Sequence, residues 1–161
     1  MTRLPLFLLV LATLLLGSTQ LGAEQMTFAR GDVDGDGRFS SRDLVLMVDW
    51  IAGIKRVDVI TALDLDRNGR ISSADVLQMF IVSRSTAPPR METLRFDRGD
   101  LNGDLQFDMS DLMILGRYLT GSGSIPVALD AADLDRSGWI DRQDQVLLER
   151  LVRSGSGPRT P

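Results

Sequence analysis

Twelve residues beginning at Asp32, DVDGDGRFSSRD, recur three more times, as DLDRNGRISSAD from Asp64, DLNGDLQFDMSD from Asp100 and DLDRSGWIDRQD from Asp133. Each copy opens with Asp, has Asp or Asn at the third place, an oxygen-bearing side chain at the fifth, an apolar residue at the eighth and Asp at the twelfth. Of the 19 aspartates in the chain, 15 lie in these four segments. A single Asp-Gly or Asn-Gly cluster is explained by a polar turn. Four copies with matching offsets are not, because carboxylates this close repel unless a divalent ion between them reverses the sign of the interaction.

The offsets are those of a calcium loop, in which places one, three, five, seven (through the backbone carbonyl), nine and twelve wrap a hard cation in oxygen. The expected Ca2+ ligands are therefore Asp32, Asp34, Asp36, Arg38, Ser40 and Asp43 in the first loop, and Asp64, Asp66, Asn68, Arg70, Ser72 and Asp75 in the second. The third loop offers Asp100, Asn102, Asp104, Gln106, Asp108 and Asp111, and the fourth Asp133, Asp135, Ser137, Trp139, Asp141 and Asp144.

Composition narrows the chemistry further. The chain has neither cysteine nor histidine, which removes disulfides, thiolate nucleophiles, nitrogen and sulfur zinc sites and the usual general base. Its net charge of −4 argues against nucleic acid or an anionic membrane as partner. Residues 1–23 combine Arg3, an apolar run from Leu4 to Leu16 and a small-residue stretch ending at Ala23, the form of a signal peptide for export. The apolar run is shorter than the roughly 20 residues that span a bilayer. Location in the periplasm, outside the cell or on its surface is expected, with no membrane contact after cleavage.

The loop starts are 32, 36 and 33 residues apart, and the widest gap contains Pro88 and Pro89, which favour an extended connector. This gives a first module at 24–84, a linker at 85–94, a second module at 95–153 and a flexible tail at 154–161. After each loop the spacing predicts a helix. Leu44, Met47, Val48 and Ile51 precede a stop at Gly53, and Leu112, Leu115 and Leu119 precede Gly121. Val76, Met79 and Phe80 form the second stripe and Val146, Leu148 and Leu151 the fourth, all expected in the core. The eighth-place residues predict a short antiparallel bridge between Phe39 and Ile71 and another between Phe107 and Ile140. Only EQMTFARG stands between Ala23 and the first loop, so the helix that should enter it is missing or vestigial.

Paired calcium loops, each followed but not preceded by a full helix, with Asp at the twelfth place (Asp43, Asp75, Asp111, Asp144), resemble the dockerin family. Gly31 before Asp32, Gly99 before Asp100 and the AADLD ahead of the fourth loop resemble its spacing too. The resemblance implies an all-α fold of two small dockerin-like modules, each a pair of EF-hand-like loop-helix units. It also implies calcium-dependent binding to cohesin-type modules, typically in polysaccharide-degrading assemblies. Partner contacts in that family lie at loop places ten and eleven and along the following helix, here Ser41, Arg42, Ser73 and Ala74 in the first pair. The second pair, Met109 and Ser110 with Arg142 and Gln143, does not keep the repeated serine.

Leu105 departs from the pattern, occupying the sixth place where the sharp turn calls for a glycine at positive φ. Trp50 is expected to be half-buried packing, and Trp139 at a seventh place leaves its side chain available as a partner contact. Outside the loops stand Glu24, Asp49, Asp58, Glu92, Asp97, Asp130 and Glu149, with no two in an evident acid-base motif. No enzyme is expected. The alternative to a cohesin-binding module is an exported calcium-binding protein with a structural or buffering role.

Overall fold

The computed structural model describes residues 23–155; the expected signal peptide, apart from Ala23, and residues 156–161 lie outside them. Four helices form where the loops predict them: α1 (Ser41–Ile51), α2 (Ser73–Val82), α3 (Met109–Leu119) and α4 (Arg142–Ser154). Each begins at a ninth-place residue acting as N-cap, whose side chain receives an N–H from the first turn. The twelfth-place Asp answers by accepting from the N-cap's own N–H, completing a capping box. Gly53 and Gly121 follow α1 and α3 at φ of 69° and 74°, left-handed positions that favour glycine. Ser154, expected in the tail, is the last residue of α4.

The all-α expectation needs correction. Glu24–Ala29 is a strand, β1, and it pairs antiparallel with β2 (Met91–Phe96). Both segments alternate over most of their length, with Met26 and Phe28, and Leu94 and Phe96, turned inward while Gln25 and Thr27, and Thr93 and Arg95, are exposed, which is a strand period and not a helical one. The lead-in to the first loop is therefore a strand in place of a helix. Met91 to Leu94, expected as linker, belong to β2.

The other lead-ins are 3-10 turns, η1 (Ile60–Leu63) before the second loop and η2 (Leu129–Ala131) before the fourth. The expected bridges at the eighth places do not form. Phe39, Ile71, Phe107 and Ile140 are outside any strand, and the β1 and β2 ladder is the one sheet among the described residues. Their side chains turn to packing instead: Phe107 is buried, and Ile71 and Ile140 lie against the core.

Each half thus runs strand, loop, helix, 3-10 turn, loop, helix. Within a half the two helices pack on each other, while strand meets strand and 3-10 turn meets 3-10 turn across the halves. Met26 pairs with Leu94, two residues holding equivalent places in the two halves, so the strand pair lies on an approximate two-fold axis. Met47, Met79, Leu115 and Leu148, one per helix, are completely buried in a hydrophobic cluster that both halves share. Val48, Ile51 and Phe80, expected in the core, are instead 47%, 50% and 44% exposed, because each helix is covered by its neighbour on one side only.

Candidate metal centres

The loops share one hydrogen-bond skeleton. The first-place carboxylate accepts the N–H of the sixth residue, from Gly37 to Asp32 (2.9 Å), Gly69 to Asp64 (3.0 Å), Leu105 to Asp100 (2.9 Å) and Gly138 to Asp133 (3.0 Å). The third-place side chains of Asp34, Asp66, Asn102 and Asp135 accept from the fifth-place N–H. In turn Asp36, Asn68, Asp104 and Ser137 accept from the seventh-place N–H of Arg38, Arg70, Gln106 and Trp139.

The twelfth-place Asp closes the ring. One oxygen accepts the N–H of the second loop residue, Val33 to Asp43 and Leu101 to Asp111 at 2.8 Å, Leu65 to Asp75 at 2.9 Å and Leu134 to Asp144 at 2.8 Å. The other takes the N-cap N–H of Ser40, Ser72, Asp108 or Asp141. Each helix start is thereby tied to the start of its own loop.

This skeleton gathers acids. Ligand oxygens of Asp32, Asp34 and Asp43 lie within 4.8 Å of one another, as do those of Asp64, Asp66 and Asp75 and those of Asp133, Asp135 and Asp144. The third loop has an amide, Asn102, where the others have a carboxylate, and no such three-acid group occurs there among the described residues. Two oxygens show what the skeleton leaves open. Asp32 Oδ1 is buried with no hydrogen-bond partner, and so is Asp34 Oδ2, which meets only the Arg42 Nε in an ion pair of 3.1 Å. Buried carboxylate oxygen without a donor is costly, and a calcium ion supplies what is lacking, so the donor set fits the metal.

Electrostatics agrees with that fit. Burial pushes the Asp32, Asp64, Asp111 and Asp133 carboxyls above the usual range, against the backbone N–H bonds that pull them down. Asp144 is pushed up to about 6, again by burial. Burial thus disfavours the ionised form of these carboxyls, and a bound cation would favour it again.

Leu105 takes the left-handed conformation its place demands, at φ 64°, with its side chain 51% exposed. Of the expected partner residues, Ser41, Arg42, Ser73 and Ala74 are all exposed at the first turns of α1 and α2. Trp50 is half-buried, as expected, and its Nε1 donates to Gly138 O at 2.7 Å. Trp139 is also half-buried and its Nε1 is enclosed, which does not suit an exposed contact.

Several residues not expected at the site support it. Arg30 donates to the carbonyls of Thr61 and Asp64, holding the first strand against the second loop, and pairs with Glu92 of the other half at 3.1 Å. Arg98 repeats this with the carbonyls of Asp130 and Asp133 and with Glu24 at 2.9 Å. Arg67 and Arg136 reach the same two glutamates. The signal was available in the sequence, since the spacing E-x-M-x-F-x-R-G-D from Glu24 returns as E-x-L-x-F-x-R-G-D from Glu92. Of the carboxylates outside the loops, Glu24, Glu92, Asp49 and Glu149 are held in ion pairs and Asp130 is buried.

Comparison with curated proteins gives no match. The family model of the dockerin type I domain matches twice, over residues 30–80 and 98–153, one match for each half of the structure. Dockerin domains are non-catalytic modules that bind Ca2+ and assemble with cohesin modules. With both matches falling on a strand-led pair of acidic loops and their helices, the chain belongs to the dockerin type I family, as a tandem pair.

Proposed function

We propose that the protein is an exported, calcium-dependent assembly module that binds a cohesin-type partner through its first half, in a polysaccharide-degrading system. Export rests on the N-terminal apolar segment. No helix among the described residues is long and apolar enough to cross a membrane. Calcium would be held by the first-, third-, fifth-, ninth- and twelfth-place side chains and the seventh-place carbonyl of each loop. The ion supplies charge neutralisation; the chain supplies the preformed ring that ties each loop to the N-terminus of its helix. Loss of the ion leaves clustered carboxylates at every helix start, so partner binding through those helices follows calcium.

The observation that carries the choice of half is an asymmetry of exposed apolar surface. Beside Ser41, Arg42, Ser73 and Ala74, helices α1 and α2 expose Val45, Val48, Ile51, Leu77, Phe80 and Ile81. In the second half, Gly116, Glu149 and Arg150 stand where Val48, Phe80 and Ile81 stand in the first. A contiguous exposed apolar face rimmed by polar residues is the usual mark of a protein interface. The test is binding of immobilised protein to a cohesin module with calcium and with chelator. Binding that requires calcium, falls at least tenfold in Phe80→Asp and is unchanged in Arg150→Asp supports the reading. Failure to bind any cohesin module leaves the structural or buffering role instead.

A further inference from the structure

The four loops are alike in skeleton but not in surroundings, and the difference lies at the sixth place. A Cβ on Gly37 would meet nothing within 4 Å, and Leu105 already points its side chain toward solvent. A Cβ on Gly69 would stand 2.1 Å from the carbonyl oxygen of Ile125, and one on Gly138 would stand 2.7 Å from that of Val57. Ile125 and Val57 hold equivalent places, each in the half opposite the glycine it touches. The second and fourth loops therefore press their turns against the other half, while the first and third face outward.

Hydrogen bonds follow the same crossing. Ile125 N–H donates to Gly69 O at 3.0 Å, and the Trp50 indole donates to Gly138 O at 2.7 Å. Each accepting carbonyl belongs to the peptide that joins the sixth place to the seventh, whose own carbonyl points to the metal in a calcium loop. Fixing that peptide from outside orients the loop before the ion arrives, and the arrangement occurs once in each direction.

We propose that the tandem halves act as one calcium-binding unit in which each half positions an inner loop of the other, with Trp50 and Ile125 as the positioning residues. Calcium in the fourth loop then favours docked halves, and docked halves favour calcium in the second; by linkage the coupling is mutual. This rests on the calcium reading above and adds that the two modules are not independent binders.

The experiment is a terbium titration of the full chain, following tryptophan-sensitised emission. The chain has 2 tryptophans, one at the seventh place of the fourth loop and one bonded to the carbonyl before it, so the signal reports that loop. Gly69→Ala places a methyl where the second loop abuts the Ile125 backbone and alters no residue of the fourth loop, and Trp50→Phe removes the indole donor while leaving Trp139 as sensitiser. Gly53→Ala is the control, since Gly53 has a comparable φ of 69° but open space around it. Terbium affinity at the fourth loop is expected to fall about fivefold in Trp50→Phe, the worth of one net hydrogen bond, and at least as much in Gly69→Ala. Gly53→Ala should match the unaltered chain. If both test variants titrate like Gly53→Ala, the coupling is overturned while the calcium reading stands. If the unaltered chain shows no sensitised emission, the calcium reading falls and the coupling with it.

Discussion

Asp130 offers the sharpest perturbation of the contact between halves. Its carboxylate is 3% exposed and accepts the N–H groups of Ile60 (3.0 Å) and Thr61 (2.8 Å) and the hydroxyl of Thr61 (2.5 Å), all from the opposite half. Asp130→Ala leaves two buried N–H groups and a buried hydroxyl without acceptors, and a stranded buried donor costs about 1–3 kcal/mol. Removing the buried charge offsets part of this, so the net loss should be about 3–5 kcal/mol, in line with breaking other buried polar pairs from one side. For a domain of this size that lowers the melting temperature by roughly 10–20 °C. Asp130→Asn retains one acceptor oxygen and should lose roughly half as much. Calcium-loaded protein melted by circular dichroism is the assay. A change below about 0.5 kcal/mol in Asp130→Ala, the range of an ordinary surface substitution, would show that the halves do not depend on this contact.

Three further outcomes are expected. Leu105→Gly relieves a left-handed strain of about 1 kcal/mol, so third-loop calcium affinity should rise about fivefold; unchanged calorimetric affinity would place the strain elsewhere. Asp144 has a folded pKa of about 6, raised by burial above its unfolded value, so the metal-free fold gains stability as pH falls through about 6. Calcium must displace that proton, and its affinity should weaken over the same interval; metal-free melts and calcium titrations moving in the same direction with pH would contradict this. Excess chelator should lower the melting temperature and reduce helical ellipticity, because each helix N-cap belongs to a loop; identical melts with and without chelator would break that link.

The loops and helices could be read early because their determinants are local. Twelve residues carry a whole loop, and the last three begin the helix through the capping box, as Ser40 and Asp43 do for α1. The family resemblance rested on these segments and the family model matches over both. What stayed hidden depends on residues far apart in the chain. Trp50 reaches Gly138 and Asp130 reaches Thr61, and nothing in either neighbourhood announces the other. The sheet is hard to read because EQMTF is too short to show a strong period alone; only its return as ETLRF, 68 residues on, supplies the partner that makes it a strand. The exposed Val48, Ile51 and Phe80 defeated the core expectation for the opposite reason, since helical periodicity marks an apolar stripe without saying what covers it.

Calcium binding by the four loops carries all the rest, and calorimetric titration of calcium into the chelator-stripped full chain tests it most directly. Four binding equivalents are expected, with the third loop, which has Leu105 and Asn102, the weakest. An absence of saturable heat across millimolar calcium would contradict it.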